Sequence, residues 1–338
     1  MELTNPTPFA AAPAAVADRD GTDWLVVIVK ATYALDGEGG MTPAEVQREV
    51  AFADAYSGEP GASSVAYASD LAIDKGSTDV VLTGSAYPRR AGDREGRVGV
   101  QLGPAKATAA VFGDREWQSA LGVTRMSRPA PFERIPLAYE RAAGGTDTSA
   151  PDDRAHGAEA RNPVGVGFRA SRTRRVVDAS PLPNFERPDA LIRTPDDRPA
   201  PAPVGFVAPG WQPRAAFAGT YDAAWARDRQ PLLPADFDAR FFDVAPPGLT
   251  VPGRLRGNEH GAALGVSPRG MVRFTLPGLS PSAEVAGRRL SCQPVALELD
   301  RVVVDGDGGA QGEIVLVWSG GLAAPYGFAD LQEITVTA

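Results

Sequence analysis

A mainly β fold, with antiparallel and sandwich-like sheets and few short helices, is what this sequence predicts. Three observations carry that reading. Runs rich in β-branched and aromatic residues recur, each closed by glycine or proline. Amphipathic stretches of helical period are scarce. The middle of the chain holds a dense scatter of proline and glycine, which disfavours long helices and central strands alike.

Taken in order, Trp24–Leu35 (WLVVIVKATYAL) begins as a continuous apolar run and reads as a central strand, with 37–40 as its turn. Ser77–Tyr87 is a second strand, stopped by Pro88. Arg97–Leu102 and Ala105–Phe112 form a hairpin across Gly103-Pro104, in which Val98, Val100 and Leu102 share one face. Strand signals return at Val272–Leu276, Pro294–Asp305, 312–318 and Ile334–Val336. The second and third of these flank the glycine-rich turn 306–309, a hairpin pattern, and the last reads as a final edge strand. Thr42–Val50 and Leu137–Ala143 are short helix candidates, and Ala215–Arg227 is a third, interrupted by Gly219. No internal repeat is evident.

This order suggests an N-terminal β region (1–120), a loop-rich central region (121–247) and a C-terminal β region (248–338). The three can also form one compact unit. Long irregular segments in a folded domain are either functional or disordered. Composition separates the two cases, because disordered segments are poor in aromatics. The stretch 113–242 carries Trp117, Tyr139, Phe168, Phe185, Phe206, Trp211, Tyr221 and Trp225 among others. It therefore reads as an ordered surface built from loops and pinned by aromatic anchors.

In 338 residues, a 43% hydrophobic and 22% charged composition allows a sizeable core. A formal net charge of −8 weighs against a nucleic-acid partner. The only lysines are Lys30, Lys75 and Lys106, so arginine carries most of the positive charge. The longest apolar run is far shorter than a bilayer span, so no membrane partner is expected. One cysteine, Cys292, rules out an intramolecular disulfide framework and reads as a small buried hydrophobe before a strand. With no secretory leader pattern at Met1–Phe9, a cytoplasmic location is the expectation.

Motifs for chemistry are sparse. There is no G-x-S-x-G elbow, and the two histidines, His156 and His260, read as exposed loop residues. Metal-ligand spacing is lacking. Asp305-Gly306-Asp307-Gly308 has the opening alternation of a calcium loop, but Ala310 takes the place of the required glycine, which favours a hairpin turn. Gly165 and Gly167 lack the third glycine of a dinucleotide fingerprint. Asp236 and Asp238 stand at alternate positions and offer paired acids for glycoside cleavage. The competing reading gives them to capping and to pairing with Arg240. No cofactor and no small-molecule substrate are expected.

What recurs is arginine and acid beside aromatic residues. Arg115, Trp117, Tyr139, Glu140, Arg141, Arg161, Asn162, Trp211, Arg214, Tyr221, Trp225 and Asp236 are the candidates for partner binding or for locking loops. Asp70, Lys75 and Asp79 form a similar group. Charge-assisted bonds can hold loop backbone that has no ladder partner. The same residue types also dominate interface hot spots.

The tracts themselves, in order, carry a resemblance. They include NPTPF (5–9), VVIVKATYAL (26–35), YASDLAIDKGSTDVVLTGSAY (67–87), GDREW (113–117), PLAYERAAGGTD (136–147) and RNPVGVGF (161–168). LPNFE (182–186), WQPRAAFAGTYDAAW (211–225), PLLPADFDARFF (231–242), LELDRVVVD (297–305) and IVLVW (314–318) continue them. The chain resembles the bacterial domain-of-unknown-function family 2169, encoded beside type VI secretion spike and toxin genes. The resemblance implies a non-enzymatic adaptor or chaperone that loads a cognate toxin with a PAAR-like domain onto the VgrG spike. It supplies no catalytic residues. His156–Glu159 and the arginine-rich 169–175 depart from the pattern. The alternatives are a structural part of the injected spike, exported with it, and a carbohydrate-active hydrolase.

Overall fold

In the computed structural model, which describes residues 1–36, 38–120, 123–171 and 178–338, the first apolar run becomes the strand Asp23–Leu35. It lies inside the largest sheet, ordered Ala10–Ala17, Asp23–Leu35, Glu313–Ala323, Glu298–Asp305, Ser77–Thr83 and Thr250–Pro252, with Met41–Pro43 added beside Leu35. Strands from both ends of the chain are thus neighbours in one sheet. Its pairings are antiparallel except for Glu298–Asp305 against Ser77–Thr83. Asp23–Leu35, Glu313–Ala323 and Glu298–Asp305 lack polar alternation because they are buried on both faces.

A five-stranded sheet contains the expected hairpin, Glu95–Leu102 with Ala105–Phe112, extended by His260–Leu264, Met271–Thr275 and Phe185–Glu186. Val98, Val100 and Leu102 are buried together, as their spacing predicts. A four-stranded sheet joins Glu2–Thr4, Leu331–Thr337, Ser282–Gly287 and Gln293–Ala296. One continuous apolar cluster runs through all three sheets. The described chain is mainly β, with a single α-helix, Ala223–Asp228.

Four local expectations change. The Ile334–Val336 signal belongs to Leu331–Thr337, which is internal, because Glu2–Thr4 pairs along its outer side. Pro294–Asp305 is two strands in two sheets. Ser77–Tyr87 is broken at Gly84, whose φ of 106° and close approach to the Asp307 backbone demand glycine. Thr42–Val50 is not helical. Its Gln47 amide accepts from the Thr32 N–H (2.8 Å) and donates to the Thr32 carbonyl (3.0 Å), standing in for a strand partner.

Charges buried in the large sheet hold its covering loops. Register places Lys30, Val317, Arg301, Asp79 and Thr250 in one cross-strand row. Asp70 reaches down onto that row. It accepts from Lys30 Nζ (2.8 Å), Arg301 Nη1 (3.2 Å), the Tyr67 hydroxyl (2.9 Å) and the Ala51 N–H (2.8 Å). Asp300 is the extra residue of a β-bulge between Leu299 and Arg301. The bulge frees backbone acceptors, and Lys75 Nζ donates to the Asp300 carbonyl (3.1 Å) while Thr78 Oγ1 donates to Leu299 (2.6 Å).

Several edge strands carry proline, Pro13, Pro252 and Pro294 among them. The Asp18 N–H bond to Thr22 closes the first hairpin and sets its alternation, so that Pro13 turns its donor-less nitrogen outward. No helix among the described residues is long and apolar enough to cross a membrane.

Candidate functional site

Three of the tracts converge on one cleft. The GDREW tract enters the short strand Glu116–Ala120, where Trp117 points inward to a satellite cluster with Ala143, Leu182 and Ile192. Arg115, on the same side, is buried against Glu186 of the LPNFE tract, and donates to the Pro183 carbonyl (3.2 Å). Its guanidinium lies 3.8 Å from the Phe112 ring centroid. Burial pushes the Glu186 carboxyl up, and the Arg115 charge only partly offsets this.

The PLAYER tract supplies the opposite wall through a 3₁₀ turn, Tyr139–Arg141. Successive residues of such a turn leave it about 120° apart. Tyr139 goes into the interior, edge-on to Trp211 with centroids 5.1 Å apart. Glu140 accepts from the Ser64 N–H and hydroxyl (both 2.7 Å) and from Ser57 (3.2 Å). Burial works to raise its carboxyl, but the bonds from Ser64 hold it below the ordinary value. Arg141 donates to Asn184 (3.0 Å), which in turn donates to the Phe112 carbonyl and to Asp114 (both 3.0 Å).

The result is an open cleft of about 640 Å³, with Asp114, Arg115, Glu116, Glu140, Arg141 and Asn184 in its lining. Acids and arginines alternate around it, so it suits a polar segment carrying both signs of charge better than a simple anion.

Asn162 braces the wall from behind. It is fully buried, and its amide donates to the Tyr139 (2.8 Å) and Ala143 (3.1 Å) carbonyls. Its own carbonyl comes so near Gly144 that a Cβ there would lie 2.2 Å away, and Gly144 has a φ of 150°. Arg161 forms a two-pronged pair with Glu159. Arg214 is buried, donating to the Phe241 and Val207 carbonyls (both 2.8 Å).

Tyr221, Trp225 and Asp236 lie away from the cleft. Tyr221 is exposed and stacks edge-on against Trp225, whose indole donates to Leu232 (2.8 Å). Asp236 accepts from the Thr220 N–H (2.9 Å) and hydroxyl (2.7 Å). Asp238 caps the turn Ala239–Phe242 and pairs with Arg240. The two acids are therefore in separate local contacts of the capping kind.

The match to the family described as "Uncharacterized protein conserved in bacteria (DUF2169)" covers residues 20–319. The chain belongs to this family. Among curated proteins and solved structures nothing matches it. The DUF2169 span takes in both walls of the cleft and the charged row of the large sheet. It leaves out Glu2–Thr4, Ala10–Ala17 and Leu331–Thr337, all strands added to the sheets from the chain ends.

Several residues of this DUF2169 chain differ from expectation. Cys292 is exposed, not buried, because it sits in the turn before Gln293–Ala296. Desolvation and the Glu284 carboxylate push its thiol up. His260 opens a strand instead of a turn, 2.9 Å from the Thr275 hydroxyl, and His156 contacts the Ala150 carbonyl (2.9 Å). Asp307 bonds Arg134 (2.7 Å) and Ser85 (2.8 Å) beside a hairpin turn. Among the described residues no group of three or more His, Cys, Asp or Glu is placed to hold a metal ion. The arginine-rich 169–175 falls partly outside the described residues.

Sequence reasoning passed over Asn184, Glu186, Ser64 and Arg301 as site-building residues. Arg301 and Lys30 had a signal: each is a lone cation inside a β-branched run, and a charge there needs a buried partner. Ser64 had none.

Proposed function

We propose that this protein is a non-enzymatic adaptor that binds a cognate type VI secretion toxin through a PAAR-like domain and helps load it on the VgrG spike. The toxin class rests on the resemblance of the tracts. The binding role rests on one observation: GDREW, PLAYER and LPNFE meet at an open polar cleft whose walls are fixed before any partner arrives, by Arg115 with Glu186 and by Glu140 with Ser64. Such preorganisation reduces the ordering cost of binding.

Asp236 and Asp238, the acids of the hydrolase reading, are already engaged with Thr220 and Arg240. That also supports contact over turnover. If the adaptor binds only the native toxin, it stabilises it by ~2.7 kcal/mol at a hundredfold excess over Kd.

The test compares toxin abundance and export with the intact gene, a deletion, and the cleft variant Arg141→Glu. Deletion and Arg141→Glu should both lower the cognate toxin and leave other effectors unchanged. Unchanged toxin in both, together with a hydrolysis abolished in a folded Asp236→Asn variant, would reject the adaptor in favour of the hydrolase. Recovery of the protein in secreted material would place it in the injected spike.

A further inference from the structure

Tyr139 precedes the cleft residues Glu140 and Arg141 but lines a different cavity. This one is narrow, about 60 Å³, and is walled by five prolines, Pro203 and Pro213 among them. Proline rings fix the backbone, so the cavity exists without a ligand. Tyr139 is only 4% exposed, and its hydroxyl has no hydrogen-bond partner among the described residues.

Two arginines share the lining, Arg161 and Arg187. Arg161 gives Nε and Nη2 to Glu159 (2.6 and 2.8 Å), and Arg187 gives the same atoms to Asp189 (3.1 and 3.0 Å). Nη1 of each has no partner among the described residues. The Asp189 bonds hold the Arg187 guanidinium above its ordinary value, against the opposing charge of nearby Arg161.

We propose that this pocket binds a single carboxylate, with the Tyr139 hydroxyl and the Nη1 groups of Arg161 and Arg187 as donors. The volume is that of two waters at ~30 Å³ each, which suits a carboxylate and the one or two carbons next to it. Apolar proline faces accept these carbons. Arg161, Arg187, Glu159 and Asp189 together carry no net charge, so a singly charged carboxylate is accepted more readily than a doubly charged phosphate. The inference does not rest on the adaptor reading. A partner's Asp or Glu side chain and a free small acid both carry the required group.

The experiment titrates the full chain with sodium propionate and follows the arginine side-chain N–H resonances. Propionamide is the uncharged control. Propionate should saturate the signals of Arg161 and Arg187, and propionamide should bind at least tenfold more weakly. Tyr139→Phe, which keeps the ring against Trp211, should weaken propionate about tenfold, the loss of a bond to a charged group. Its melting temperature, measured alongside, confirms the fold. Acetyl-Ala-Glu-Ala-amide and its Gln counterpart form the second arm. Binding of the Glu tripeptide alone assigns the site to a protein side chain. Binding of propionate with exclusion of both tripeptides assigns it to a free small acid, and either result upholds a carboxylate site. Equal binding of propionate and propionamide, or no saturable response from the folded protein, overturns it.

Discussion

Arg301 and Asp70 meet inside the protein, Nη1 3.2 Å from Oδ1, although 231 residues separate them in the chain. The contact ties the loop that carries Asp70 to a central strand, and the same carboxylate also takes Lys30. Removing one member of a buried charge group leaves the others uncompensated.

Asp70→Ala should therefore destabilise the protein by about 3–5 kcal/mol. The denaturant midpoint reads this directly. Digestion between Ala44 and Gly76 should accelerate in the same variant. An unchanged midpoint would mean that the row of charges does not hold the loop.

Asp79 predicts an acid response. Burial raises its carboxyl, but the Lys75 ammonium at 2.6 Å, with further bonds from Lys75 and from the Val244 N–H, outweighs burial and keeps the value below the ordinary 3.8. Its ionisation thus contributes stability that is complete above the unfolded value and lost as pH falls through the lower folded one. Asp79→Asn should lower stability at neutral pH and flatten the part of the acid-unfolding profile that lies below about pH 4. An acid limb identical to wild type would remove Asp79 as its source.

The Arg115–Glu186 pair should behave asymmetrically. Glu186→Leu alone strands a buried guanidinium and should cost about 3–5 kcal/mol. Adding Arg115→Met should recover most of that loss, since a packed apolar pair of similar volume often matches a buried ion pair. A double-mutant cycle by chemical denaturation checks it; additive losses would contradict the coupling.

Gly144→Ala tests the wall of the cleft. A methyl group would sit 2.2 Å from the Asn162 carbonyl on backbone at φ 150°. Strain and collision together should destabilise by about 2 kcal/mol or more and disturb Arg141. A variant as stable as wild type would show that Asn162 can move aside.

Much of this was readable from local pattern. Trp24–Leu35, the hairpin at Gly103-Pro104 and the hairpin at 306–309 follow from β-branched runs and turn residues. The tracts at 113–117, 136–145 and 182–186 stood out by composition. Their convergence did not, because it depends on Arg115 finding Glu186 and on Ser64 reaching Glu140 across 76 residues. Periodicity reports which face of a segment is apolar, not what will cover it. The same limit explains Leu331–Thr337, read as an edge until Glu2–Thr4 is seen beside it. It also explains Thr42–Val50, where the Gln47 side chain, a tertiary contact, overrides a local helical preference.

The interleaving of the large sheet bears on how the chain is made. Asp23–Leu35 pairs along its whole length with Glu313–Ala323, which the ribosome delivers roughly 280 residues later, about 15–60 s at ~5–20 residues per second. Throughout synthesis the longest strand of the protein waits without this C-terminal partner. A nascent chain of this kind depends on being shielded while it waits, and slowing translation should lower the yield of folded protein.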